Sequence, residues 1–216
     1  MLKADLHVHT DYSMDCSMPL NVIIERCQQL GINCIAVADH GTVEGALEMQ
    51  RIAPFTVIVA EEILTPHGEL MGLFLKENIP SGLSVEQTIA QIRAQDGFVC
   101  IPHAFDLLRP SALGEKIVEE ITEEIEVIEV FNARSLLQRS SEKALAFAEK
   151  YDIARSAGSD AHTPGEIGNA YVEMPEFKGR DDFLQALAKG KIIGHRTNPL
   201  THFASAWNKL KNRTWR

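Results

Sequence analysis

Ala4-Asp5-Leu6-His7-Val8-His9-Thr10 is a short apolar run that sets two imidazoles two residues apart. Successive side chains of a strand point to opposite faces, so the run as a strand puts His7 and His9 on one face and Leu6 and Val8 on the other. Two neutral imidazoles side by side make half of a metal site, since imidazole suits zinc, iron, copper and nickel. In isolation, a surface strand with two accidental histidines has the same appearance. The choice turns on whether the rest of the chain brings more ligands to strand ends.

Downstream, apolar strand patterns alternate with amphipathic helix patterns. Cys34 to Ala38 runs into Asp39-His40-Gly41-Thr42, and Thr56 to Ile63 carries Glu61 and Glu62. Pro66-His67-Gly68 is a turn before the short apolar run Leu70 to Leu75. Phe98 to Ile101 ends in Pro102-His103, Ile125 to Phe131 in Asn132-Ala133-Arg134, and Ile153 to Gly158 in Ser159-Asp160-Ala161-His162. Between them, Pro19 opens a helix closed by Gly31, and Ser84-Val85-Glu86-Gln87 has the form of a capping box. Ala170 to Met174 and Lys191 to Gly194 add strands around a helix from about Asp181, and His195-Arg196 follows. This alternation predicts an α/β fold with a parallel sheet, with enough strands to close a barrel.

In such barrels chemistry gathers at the carboxyl ends of the strands, where His7, His9, His40, Glu62, His103, Asn132, Asp160 and His162 fall. Asp160 and His162 repeat the two-apart spacing. The residues beneath them on the same face, Gly158, Ser156 and Ala154, are small, as are Ala38, Ala36 and Cys34 beneath His40. Small side chains leave room inside a narrow barrel. Histidines and carboxylates without a cysteine cluster are the donor set of an open catalytic site, not of a closed structural one. A bridging carboxylate could link two ions around a hydroxide, with the pKa of water lowered from about 15.7 to about 7 on a catalytic zinc.

The chain has 216 residues, 45% apolar and 24% charged, which fits one globular domain. Its formal net charge of −9 argues against broad attraction to nucleic acid or anionic membrane. Cys27, Cys34 and Cys100 read as small buried hydrophobes, with no C-x-x-C pair, and Cys16 adjoins a candidate ligand. No signal-peptide pattern or membrane-spanning run is present, so a soluble cytoplasmic protein without an obligate protein partner is the expectation. The acidic run from Glu115 to Glu129 reads as a solvated helix face followed by a strand start.

Taken together, Asp5-Leu6-His7-Val8-His9-Thr10-Asp11-Tyr12-Ser13-Met14-Asp15, Ala38-Asp39-His40-Gly41-Thr42, Ala60-Glu61-Glu62-Ile63, Ile101-Pro102-His103-Ala104, Glu129-Val130-Phe131-Asn132 and Gly158-Ser159-Asp160-Ala161-His162 resemble, in order, the motifs of the polymerase and histidinol phosphatase (PHP) domain family. The resemblance spans residues 5–162, with 163–216 completing a single domain. It implies a distorted, TIM-like (β/α)7 barrel holding two or three divalent ions of manganese, zinc or iron. By position, His7, His9, Glu62 and Asp160 would hold the first ion, and Glu62 would bridge to a second shared with His103. Asp15, His40 and His162 would hold the third.

Two positions depart from the pattern. Glu69 stands where many members have histidine, and a carboxylate there could serve as a ligand with a harder metal preference. Asn132 stands where others offer a stronger donor. No inserted helical segment separates Thr42 from Thr56.

The function implied is metal-dependent hydrolysis of a phosphate ester by a metal-bridging hydroxide, with Glu62 and Asp160 central. The substrate would be a small phosphomonoester, a nucleotide or a short oligonucleotide. Arg134 and His195 are candidates for phosphate contact, His195 also for protonating the leaving group. Asp5 is a candidate to orient the His7 ring. Two other classes stay open: a non-catalytic metal-binding scaffold and a metal-assisted amidohydrolase.

Overall fold

The sheet curls back onto β1 (Leu2–Val8). This strand pairs in parallel with β2 (Cys34–His40) and, through Leu2–Ala4, antiparallel with β8 (Ala170–Met174). At its far end Val8 bridges Ala161, just past β7 (Ala154–Gly158). There the His9 N–H donates to the Ala161 carbonyl at 3.1 Å and the Asp160 N–H to the His7 carbonyl at 2.8 Å. The structure is a computed structural model that describes residues 1–198.

Among the described residues the strand order is β7-β6-β5-β4-β3-β2-β1-β8-β9. It includes β3 (Thr56–Thr65), β4 (Gly68–Leu73), β5 (Phe98–Ile101), β6 (Val127–Asn132) and β9 (Lys191–Gly194). Strands β1 to β7 curl into a nearly closed α/β barrel of the TIM-like kind, sealed where the end of β7 meets β1. The β8–β9 pair continues the sheet from the other half of β1. The expected completion over 163–216 is described only to Asn198; the remainder lies outside the described residues.

The crossovers lie where the sequence places them. The helix α1 (Leu20–Leu30) buries Ile23 and Cys27 and stops at Gly31, whose φ of 69° suits glycine. Next come α2 (Glu44–Ile52) and α3 (Val85–Ala94), the latter opened by a reciprocal Ser84–Gln87 capping box. Then follow α4 (Glu115–Glu120), a single 3-10 turn (Thr122–Glu124), α5 (Gln138–Tyr151) and α6 (Gly179–Ala188).

Two apolar layers result. Ala4, Cys34, Ala36, Ala38, Ala60 and Ala157 belong to one cluster, and Ile23, Ile35, Val37, Ile92 and Ile128 to another. Cys34, Ala36 and Ala38 beneath His40 therefore share one core, as the alternation along β2 implies, whereas on β7 Ala157 joins that core although it alternates with Gly158, Ser156 and Ala154. All four cysteines are free and buried.

Two features differ from the sequence expectation. The sheet is mixed: the Pro66-His67-Gly68 turn folds β4 back antiparallel to β3, and β5 is antiparallel to β4. This reversal brings the start of β4, with Glu69, to the end of the barrel where the parallel strands finish. Second, β1 is not a regular strand. A register shift between Asp5 and Val8 breaks its alternation, and Leu6 joins the cluster of small residues while Val8 joins the other. Bulges beside functional sites re-aim side chains in this way.

Candidate metal centre

His7 and His9 enter the barrel end fully buried, with their Nε2 atoms 3.1 Å apart. Glu62 brings Oε2 within 3.4 Å of His7 Nε2 and 3.3 Å of His9 Nε2, and Asp160 Oδ1 stands 3.3 Å from His9 Nε2. On one side, His103 Nε2 lies 2.9 Å from Glu62 Oε1 and 3.4 Å from Glu69 Oε2. On the other, Asp15 Oδ2 sits 3.3 Å from His40 Nε2 and 3.4 Å from His162 Nε2. The His40 ring stands between these groups, since its Nδ1 is 3.5 Å from both Glu62 Oε2 and Glu69 Oε1.

The donor set fits divalent cations. Glu62 Oε2, Glu69 Oε2 and Asp160 Oδ1 are buried and have no hydrogen-bond partner among the described residues. Leaving charged oxygens so is costly unless a cation meets them. Three groups each offer ligand atoms within 4.8 Å of one another: His7, His9 and Glu62; His40, Glu62 and Glu69; and His9, Asp15, His40 and His162. Ligand atoms about 2.1 Å from one ion are at most about 4.2 Å apart, so spacings of this order need only a small inward adjustment to share an ion.

The electrostatics agree. Burial opposes charge on His9, but Asp160 and Glu62 outweigh it and raise its pKa to about 10, so a proton is held where cation charge is wanted. Burial alone would raise Asp160, yet Arg109, His7 and His9 hold it well below the usual carboxylate range. Asp15 is likewise held low by His162 and His40 against its burial.

Three residues behind the cluster steady it. Glu129 Oε1 is 3.1 Å from His7 Nδ1, and its Oε2 accepts from the His103 N–H at 2.5 Å and from Asn132 Nδ2 at 2.9 Å. A carboxylate on Nδ1 leaves Nε2 of a neutral imidazole free to face the centre. Gly158 lies against His7, where a Cβ would fall 2.2 Å from the His7 Cβ. His103 and Asp160 hold positive φ angles of 33° and 54°, a strained backbone of the kind found at functional sites.

Several expected roles change. Asp5 does not orient the His7 ring; its carboxylate accepts from the backbone N–H groups of Ser159 at 2.8 Å and Gly168 at 3.0 Å, tying loops together, and Glu129 takes the ring. Glu129 stands in the strand that ends the acidic run, as expected, but it faces the cluster, where no role was expected of it. Asn132 turns its amide nitrogen to Glu129 and to Asp160 Oδ2 at 3.2 Å, while its oxygen accepts from the Arg134 N–H. In this arrangement its amide donates to two carboxylates of the cluster. His195 is exposed, its backbone N–H donates to the Asn169 carbonyl at 2.8 Å, and it belongs to none of the three ligand groups. Its neighbour Arg196 turns inward instead, onto the Ser135 carbonyl. Glu61, on the other strand face, is buried and accepts from the Ile79 N–H at 2.9 Å.

Two guanidinium groups flank the carboxylates and imidazoles. Arg134, buried, puts Nη1 2.5 Å from His162 Nδ1. Arg109, in the loop after β5, puts Nη2 2.6 Å from Asp160 Oδ2. Sequence reasoning singled out Arg134 but not Arg109. The available signal was the same for both: a basic residue in the loop that follows a ligand-bearing strand.

The PHP domain family matches residues 5–73, and a PHP-associated family matches residues 138–192. An uncharacterized protein of Methanocaldococcus jannaschii is 38% identical over 215 residues, covering 98% of this chain and 86% of that protein. The chain belongs to the PHP domain family. A second uncharacterized protein of that organism is 37% identical over 145 residues, 61% of this PHP chain and 82% of the relative.

Among solved structures, a two-domain protein of Bacteroides vulgatus containing a predicted PHP-like metal-dependent phosphoesterase superposes with a TM-score of 0.70 at 16% identity. The alignment covers 90% of this chain, which spans 65% of that protein's length. An amidohydrolase of Chromobacterium violaceum superposes with a TM-score of 0.61 at 15% identity, covering 94% of this chain and 96% of the other. These likenesses establish the barrel. Family membership and the clustered donors together support a metal-dependent hydrolase in the general sense. Residues 74–137, with His103, Arg109 and Glu129, lie between the two matched segments.

Proposed function

We propose that this PHP domain hydrolyses a phosphate ester with the help of two or three divalent ions of manganese, zinc or iron. The substrate would be a small phosphomonoester, a nucleotide or a short oligonucleotide. The observation that carries the reading is the pair of guanidinium groups, Arg109 and Arg134, set against the imidazole and carboxylate cluster. Guanidinium matches phosphate bidentately, whereas a scissile amide group is neutral and offers it no anion.

His7, His9, Glu62 and Asp160 are the residues proposed to hold one ion. Glu62 with His103, Glu69 and His40 faces a second position, and Asp15, His40 and His162 a third. Bound divalent ions supply a lowered pKa for water and offset charge on phosphate oxygens. Glu129 keeps the His7 ring oriented, and Asn132 holds Glu129 and Asp160 in register. Arg109 and Arg134 orient the phosphate and balance its charge.

The test is chelator-stripped protein reloaded with manganese, zinc or iron and offered a phosphomonoester, a phosphodiester and an amide panel. Phosphate release with metal supports the reading. Turnover of amides alone, or tight metal binding without turnover of any ester, overturns it.

A further inference from the structure

A cavity of about 490 Å³ opens beside the metal centre, between the loop after β5 and the start of α5. Arg109 belongs to both places, lining the cavity while its Nη2 reaches Asp160. Phe105, two residues past His103, supplies an apolar wall, with its backbone held at a φ of 60° and its ring packed on Phe147 at 5.4 Å between centroids. Leu113 and Leu137 complete the apolar lining, and Leu107 projects at the mouth 82% exposed. Such solvent-facing apolar side chains around a concave site mark a binding surface.

The charges at this cavity are also informative. Lys143 lies 5.0 Å over the Phe105 ring and is paired with Glu115. Arg139 is exposed and has no carboxylate partner among the described residues. Asp106 and Glu115 line the cavity too, and Arg109 and Lys143 are paired with Asp160 and Glu115, so its charges largely balance and its apolar walls set what it can hold. A volume near the lower end of the range for small-molecule pockets suits one ring system and not a polymer.

We propose that this cavity receives the leaving group of the ester, and that it selects an aromatic or otherwise apolar body. The inference rests on the phosphoesterase reading. It extends that reading from the phosphate, held at the metal centre, to the alcohol on its far side.

Ethyl phosphate and 2-phenylethyl phosphate test it, because their leaving alcohols are alike in acidity and differ in apolar body. The metal-loaded protein should favour the phenylethyl ester in kcat/KM by about tenfold or more, as expected for added apolar groups in a fitted pocket. Leu137→Asp, at a partly exposed position that tolerates a polar side chain, should shrink that ratio at least fivefold. Equal kcat/KM for the two esters, or a ratio unmoved by Leu137→Asp, overturns the proposal.

If neither ester is hydrolysed, the phosphoesterase reading is decided separately by the wider ester panel, and the cavity is judged by binding of the metal-loaded protein to the corresponding phosphonates. Tighter binding of 2-phenylethylphosphonate than of ethylphosphonate, weakened by Leu137→Asp, upholds the cavity as an apolar-group site. Equal binding overturns it.

Discussion

Arg109 and Asp160 form an ion pair at 2.6 Å between Nη2 and Oδ2, with Asp160 fully buried and the arginine side chain 21% exposed. The arginine therefore sits at the boundary between the carboxylate cluster and the cavity from which a substrate would approach. Replacing Arg109 by Gln should lower kcat/KM by about 10²–10³-fold, the range for losing one oriented donor to developing charge. Lysine should restore little, because its point charge lacks the planar fork. Metal content should stay at the wild-type value; loss of metal together with activity would show that Arg109 acts only through Asp160.

Glu129 accounts for the orientation of His7. Glu129→Gln should weaken metal binding by about 10–100-fold, the usual effect of removing a carboxylate behind a ligating histidine. Competition against a chelator of known affinity measures this, and unchanged affinity would contradict the role.

Glu129 also shows where reading the sequence stops. The motifs and the small residues beneath them placed His7, His9, His40, Glu62, His103, Asp160 and His162 at one end of a barrel, where they meet. Each of those inferences needed only that the residue falls at, near or just past the end of a strand. Glu129 precedes Asn132 by three residues, which assigns them opposite faces in a regular strand. The register shift between Glu129 and Phe131 changes that parity, so both reach the centre. The bulge in β1 misassigned Leu6 for the same reason. Arg109 escaped because its position depends on the path of a loop, which carries no periodicity. The antiparallel course of β4 was signalled by the Pro66-His67-Gly68 turn, but the alternation of strands and helices argued for parallel pairing.

Gly158 is required by its neighbour. A Cβ there would also approach the His7 N to 2.8 Å, and backbone cannot yield as a flexible side-chain tip does. Gly158→Ala should destabilise the protein by about 1–3 kcal/mol, the range for overpacking a tight interior. The denaturation midpoint in urea reads this, and metal affinity should fall with it. A variant with wild-type stability and affinity would contradict the close packing of β7 against β1.

Glu61 should make stability depend on pH. Burial raises its pKa from 4.5 to about 7, although the Ile79 N–H partly offsets the shift. Below pH 4.5 both folded and unfolded chains carry the proton, and nothing is lost. As pH rises towards 7, the unfolded chain ionises first, so stability falls and stays lower above pH 7. The loss is about 3 kcal/mol at about 1.4 kcal/mol per pH unit. Glu61→Gln should therefore gain stability over the parent at pH 8 by more than at pH 4, both in chelator. An equal difference at the two pH values would refute this origin.

The central claim is that the imidazoles and carboxylates at the barrel end hold the ions that hydrolyse a phosphate ester. Its most direct test is the rate of phosphate release by chelator-stripped protein before and after manganese, zinc or iron is restored, in the parent and in Asp160→Ala. The account predicts no release before, release after in the parent, and none in Asp160→Ala, whose metal content is reduced. Release that survives stripping, or that persists in Asp160→Ala at full metal content, would contradict it.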